Sequence, residues 1–143
     1  MKKAPKSWKI RDRDRLLRAV MGELGGDANI SFEGDLHKTG LARISGASAE
    51  ETSALKRNTI WPRQEFVVLS LDSSAVPEIL VAIGGTVPRD IIRIQIAKAG
   101  KLEFGAYDNF HPHAMYFGPA LSQTFVDSLI AEGILGPAEK EKP

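Results

Sequence analysis

The chain has 143 residues, 43% of them hydrophobic and 26% charged, with a formal net charge of +1. That length suits one domain with a core of its own, and that balance excludes a disordered, collagen-like or coiled-coil chain. There is no cysteine, which removes disulfide scaffolds, thiolate nucleophiles and thiolate metal sites. No apolar run approaches the ~18 residues a membrane helix requires.

The small net charge hides an asymmetry. Residues 1–20 carry eight basic and two acidic side chains, a net of +6, and the remaining residues carry a net of −5. The opening Met1-Lys2-Lys3 resembles the start of a signal peptide, but no apolar stretch of ~7–15 residues follows it, so the chain reads as cytoplasmic. Residues 1–7 and 136–143 are polar or rich in helix breakers and read as flexible termini flanking a core of about 10–135.

Leu16, Leu17, Val20, Met21 and Leu24 form one apolar stripe at helical spacing, predicting a helix over 12–24 that stops at Gly25-Gly26. Residues 29–33 alternate as a strand, Gly34-Asp35 marks a turn, and 41–44 is the expected hairpin partner. Ser48 and Glu51 have capping-box spacing, predicting a short helix to Arg57, and Pro62 holds Trp61 out of helical geometry. Residues 66–71 are apolar on both faces and predict a central strand covered on both sides. A helix follows over 75–83, capped by Ser73 or Ser74 and stopped at Gly84-Gly85.

Ile92, Ile94 and Ile96 alternate with polar or small residues. The turn over 98–101 then returns the chain through Leu102, Phe104 and Ala106, a hairpin to which 114–117 adds a third strand. The last helix spans 119–132, with Gly133 as its C-terminal glycine and Ile134 closing onto Leu129. Strands joined by tight turns favour antiparallel pairing. The expected fold is therefore α+β: a mostly antiparallel sheet of four to six strands with N-terminal, middle and C-terminal helices packed on it.

For chemistry, the densest cluster is Asp108-Asn109-Phe110-His111-Pro112-His113. Residues i and i+2 of extended backbone share a face, so His111 and His113 could chelate a cation with help from Asp108. The plainer reading is a sheet-edge turn in which Asp108 and Asn109 bond the backbone. No nucleophile elbow, P-loop or dinucleotide fingerprint is present, and no cofactor or metal is implied. His37 reads as an exposed loop side chain.

Arg11, Arg15 and Arg18 share one helical face and, with the lysines before them, could follow phosphates, but Asp12 and Asp14 interrupt the run. Trp61, Arg63, Phe110 and Tyr116 are residue types enriched at protein interfaces, with Trp61 and Phe110 in turn-like segments where exposure is expected. The leading expectation is a small non-catalytic protein-binding module of the inhibitor or immunity-protein type, docking a protein rather than nucleic acid or a membrane. The alternatives are a metal-assisted or acid–base enzyme centred on Asp108, His111 and His113, and a nucleic-acid-associated protein using the basic arm.

Overall fold

The structure, a computed structural model, describes residues 7–57 and 64–139. It is an α+β fold of seven strands and three helices among those residues: β1 (Ser7–Ile10), α1 (Arg13–Leu24), β2 (Ala28–Gly34), β3 (Glu65–Leu71), α2 (Ala75–Ala82), β4 (Ile91–Lys98), β5 (Lys101–Ala106), β6 (Met115–Phe117), α3 (Gln123–Ala131) and β7 (Leu135–Glu139). Five strands form an antiparallel sheet in the order β3-β2-β4-β5-β6, and β1 pairs with β7 in a separate antiparallel ribbon. Among the described residues no helix is long and apolar enough to cross a membrane.

The helix stripes account for the core. Leu16, Leu17, Val20, Met21 and Leu24 of α1 are all buried, and they join Ile30 and Phe32 of β2, Val67, Leu69 and Leu71 of β3, Ile94 and Ile96 of β4 and Phe104 of β5 in one cluster. The register puts these strand residues on one face, since Ile30 pairs with both Leu69 and Ile96, and Phe32 with both Val67 and Ile94. The opposite face carries a second, smaller cluster in which Leu55 lies with Phe66, Val68 and Ala97. Both faces of the sheet are thus covered, one by helices and one by the 52–57 segment.

Capping chemistry sets the helix ends. The Asp12 carboxylate accepts the Arg15 N–H at the start of α1, where it also complements the positive end of the helix dipole. The left-handed residues beyond α1 are Gly26 and Asp27, while Gly25 keeps a negative φ. Ser73 and Ser74 do not cap α2: the Asp72 carboxylate accepts the N–H groups of Ser74 and Ala75 and the Ser74 hydroxyl. α3 begins at Gln123 rather than at 119, because Ser122 is the N-cap and accepts the Phe125 N–H. It ends in a Schellman motif, with the Ile134 N–H on Leu129 O, the Gly133 N–H on Ile130 O, and Gly133 at φ +76°.

Four sequence expectations need correction. Residues 41–43 are a single 3-10 turn, not a strand, and β2 pairs with β3 and β4 instead. Non-local pairing wins here because β2 buries both of its flanks in the sheet.

No helix forms over 48–57. Ser48 exchanges both backbone hydrogen bonds with Val68, which fixes it as extended chain, and its hydroxyl takes the Glu50 N–H. Thr52 accepts the Leu55 N–H and Glu51 the Arg57 N–H, local side-chain bonds that compete with helix formation.

β3 is covered on both faces but stands at an edge of the sheet, bridged there at Val68 by Ser48. Of the tail expected to fray, 136–139 instead belong to β7, where Gly136 pairs with Lys9. A Cβ on Gly136 would lie 2.8 Å from the Lys9 Cβ, so the ribbon's close approach needs glycine there.

Candidate functional site

The two edges of the sheet differ. At the β3 edge Ser48 bridges Val68; β6 is the last strand on the other side. The Tyr107 N–H bonds Ala114 O and the Gly118 N–H bonds Glu103 O, so Ala114 and Gly118 turn their backbone groups toward β5. Alternation then sends the N–H and C=O of Met115 and Phe117 outward. No strand among the described residues lies beyond them.

Beside this edge runs a groove of about 380 Å³ lined by Trp8, Met115, Tyr116, Phe117, Leu121 and Val126 together with the polar Gln123. Its floor is rigid aromatic packing. Phe117 makes edge-to-face contacts with Trp8 at 5.8 Å and with Phe104 at 5.7 Å, and Phe104 is fully buried. β1 is tied to the turn before β6 by the Trp8 N–H on Pro112 O at 3.3 Å. Tyr116 is 40% exposed, one of two large hydrophobic side chains described as exposed. Lys9, next to Trp8, is exposed.

The turn that delivers β6 is strained. Asp108, Asn109 and Phe110 all have positive φ, at 50°, 56° and 60°. A left-handed conformation costs roughly 1–2 kcal/mol per residue for L side chains, with Asn and Asp the most tolerant. The structure holds the turn from several sides. The His111 N–H bonds Tyr107 O at 3.1 Å and the Asn109 N–H bonds Ile92 O at 2.9 Å. Arg13 donates to the Asn109 side-chain oxygen and to Val87 O, and Asn109 donates to Arg89 O at 3.1 Å. The Arg13 guanidinium also lies over the Phe110 ring, 5.7 Å from its centroid.

The sequence-predicted residues are therefore scattered. Phe110, expected to be exposed, is 4% exposed and belongs to the main core, so it anchors the turn and offers no docking surface. Tyr116 is exposed, at the groove. Trp61 and Arg63 lie outside the described residues.

His111 and His113 are exposed with rings 5.5 Å apart, and the His113 N–H bonds His111 Nδ1 at 3.1 Å. Asp108 does not join them in any three-donor cluster among the described residues. His37 is exposed as expected, in contact with Asp35; that hydrogen bond holds the Asp35 carboxyl below its usual range.

Of the basic arm, Arg11, Arg15 and Arg18 are exposed, but Arg13 is consumed by the turn and Asp14 accepts the Val87 N–H. Sequence reasoning missed Trp8 as a groove residue, because nothing local distinguishes a strand that pairs with the far end of the chain. It also missed the polar floor on the second sheet face. There Tyr107 folds across Gly105, its hydroxyl 3.4 Å from the Gln95 amide, with the Arg93 guanidinium 4.6 Å from its ring centroid.

No family model, no curated protein and no solved structure matches this chain.

Proposed function

We propose that this protein is a docking module that takes an extended segment of a partner protein as an added strand on the outer edge of β6. The observation that carries this reading is the coincidence of an open sheet edge with a groove walled by aromatic and aliphatic side chains and Gln123. The outward N–H and C=O groups of Met115 and Phe117 supply main-chain hydrogen bonds, and the groove beside them supplies a pocket for an alternate side chain. Strand addition works in this way, with main-chain bonds giving affinity and pockets giving specificity.

The rigid floor of Trp8, Phe117 and Phe104 lowers the ordering cost of binding. Lys9 is exposed next to Trp8, and Lys2, Lys3 and Lys6 precede it in sequence. The partner segment is accordingly apolar at the groove and acidic on the side that meets Lys9.

A display library of peptides about 12 residues long, enough to span a strand edge, tests this when panned against the full chain. Enriched peptides should alternate apolar and other residues, carry Asp or Glu at one end, and bind Tyr116→Glu at least about tenfold more weakly. Met115→Pro, which removes an outward N–H without touching the β5 pairing, should weaken them similarly. Equal binding to both variants, or no enrichment, refutes the reading.

A further inference from the structure

At the far end of the sheet from the groove edge, three side chains converge that the docking reading does not use. Asp35 and His37 follow β2, and Glu65 opens β3. Gly34 and Glu65 are register partners, so the chain leaving β2 passes directly over the start of β3. That path is anchored. The Leu36 N–H bonds a Glu65 carboxylate oxygen at 3.0 Å, and the Asp35 N–H bonds Asp90 O at 3.0 Å at the approach to β4. Gly34 has φ +149°, and a Cβ there would lie 2.2 Å from Asp90 O, a backbone approach open only to glycine.

The result is one imidazole and two carboxylates, all exposed, whose donor atoms lie within 4.8 Å of one another. Among the described residues no other group of three such donors comes together. We propose that Asp35, His37 and Glu65 form a surface site for a divalent transition-metal ion.

The geometry is close to that of an occupied site. Two donors bound to one ion at about 2.1 Å stand at most about 4.2 Å apart. Small χ changes in exposed side chains cover the difference. His37 Nδ1 and Asp35 Oδ1 are already in contact, and an ion entering between them displaces the shared proton, to His37 Nε2 or to solvent, and replaces the hydrogen bond with two coordinate bonds. Glu65 binds through either oxygen, because a carboxylate that accepts one amide N–H retains lone pairs for a cation.

The donor set selects the metal class. An imidazole nitrogen with two carboxylates suits Zn²⁺, Mn²⁺ or Ni²⁺, whereas Mg²⁺ and Ca²⁺ prefer all-oxygen sets. Three protein donors facing solvent leave coordination positions for water.

The test is equilibrium binding of Zn²⁺ alone to the purified full chain, with bound metal measured by elemental analysis. One ion per chain is expected at micromolar free Zn²⁺. His37→Ala and Glu65→Gln should each weaken binding at least about tenfold, and the double variant His111→Ala/His113→Ala should leave it unchanged. The carboxamide oxygen in Glu65→Gln still accepts the Leu36 N–H, so this variant tests ligation without breaking the anchor, and an unchanged circular dichroism spectrum verifies its fold. No stoichiometric Zn²⁺, or binding abolished in the His111/His113 double variant and retained in His37→Ala and Glu65→Gln, overturns the proposal. Peptide binding at β6 is measured separately, so the two readings fail independently.

Discussion

Replacing Asn109 with alanine removes two hydrogen bonds and a residue suited to left-handed backbone in a single step. The Asn109 side-chain oxygen accepts from the Arg13 guanidinium, and its amide donates to Arg89 O. A hydrogen bond to a charged group contributes about 1.5–3 kcal/mol and a neutral one about 0.5–1.5 kcal/mol. At φ 56°, alanine would also bear more of the left-handed penalty than asparagine does. Partial exposure of the site takes something off the sum, and the expected loss is about 2–4 kcal/mol.

Asn109→Gly separates the contributions. Glycine takes positive φ freely, so this variant should recover about 1 kcal/mol of the alanine loss while still lacking both side-chain bonds. Urea denaturation followed by circular dichroism measures all three proteins. Hydrogen exchange at the Tyr107 and Gly118 amides, which bond across β5 and β6, should quicken in Asn109→Ala, because the turn sets the start of β6. A loss below about 0.5 kcal/mol, a level ordinary for surface substitutions, would refute the claim that Arg13 and Asn109 hold the turn.

On the polar sheet face, a Cβ at Gly105 would meet the Tyr107 hydroxyl at 2.4 Å and its ring at 2.5 Å. Gly105→Ala should therefore cost about 1–3 kcal/mol through overpacking, and the cost should largely vanish in a Tyr107→Ala background. A double-mutant cycle by urea denaturation checks this, and a coupling near zero would contradict it. The Asp72 carboxyl is held below its usual range by the Ser74 hydroxyl and then by the Ala75 amide. A depressed folded-state value means its stabilisation is present above the ordinary carboxylate range and fades as pH falls through the folded value. Asp72→Asn should therefore lose more stability relative to the native chain near neutral pH than at about pH 3, in urea midpoints measured at both; equal losses would remove Asp72 as the α2 cap.

Local chemistry made much of this fold legible. The α1 stripe of Leu16, Leu17, Val20, Met21 and Leu24 is an i, i+4 pattern, and every one of those side chains is buried. The β4–β5 hairpin and the Gly133 stop of α3 are likewise written in adjacent residues. Such features depend on periodicity and on side-chain-to-backbone bonds within a few positions, so the sequence alone determines them.

The rest depends on partners distant in the chain. Ser48 carries a helix-capping pattern, yet Val68, far along the chain, claims its backbone. Trp8 becomes a groove wall only because β1 pairs with β7 and packs on Phe117. Phe110 sits in a polar turn that reads as surface, but Arg13, at the opposite end of the sequence, covers its ring. Asp35, His37 and Glu65 carry no motif in sequence and meet only through the β2–β3 register. Local propensity is worth tenths of a kcal/mol to about one per residue, and burial of strand and helix faces is worth more, so tertiary packing decides wherever the two disagree.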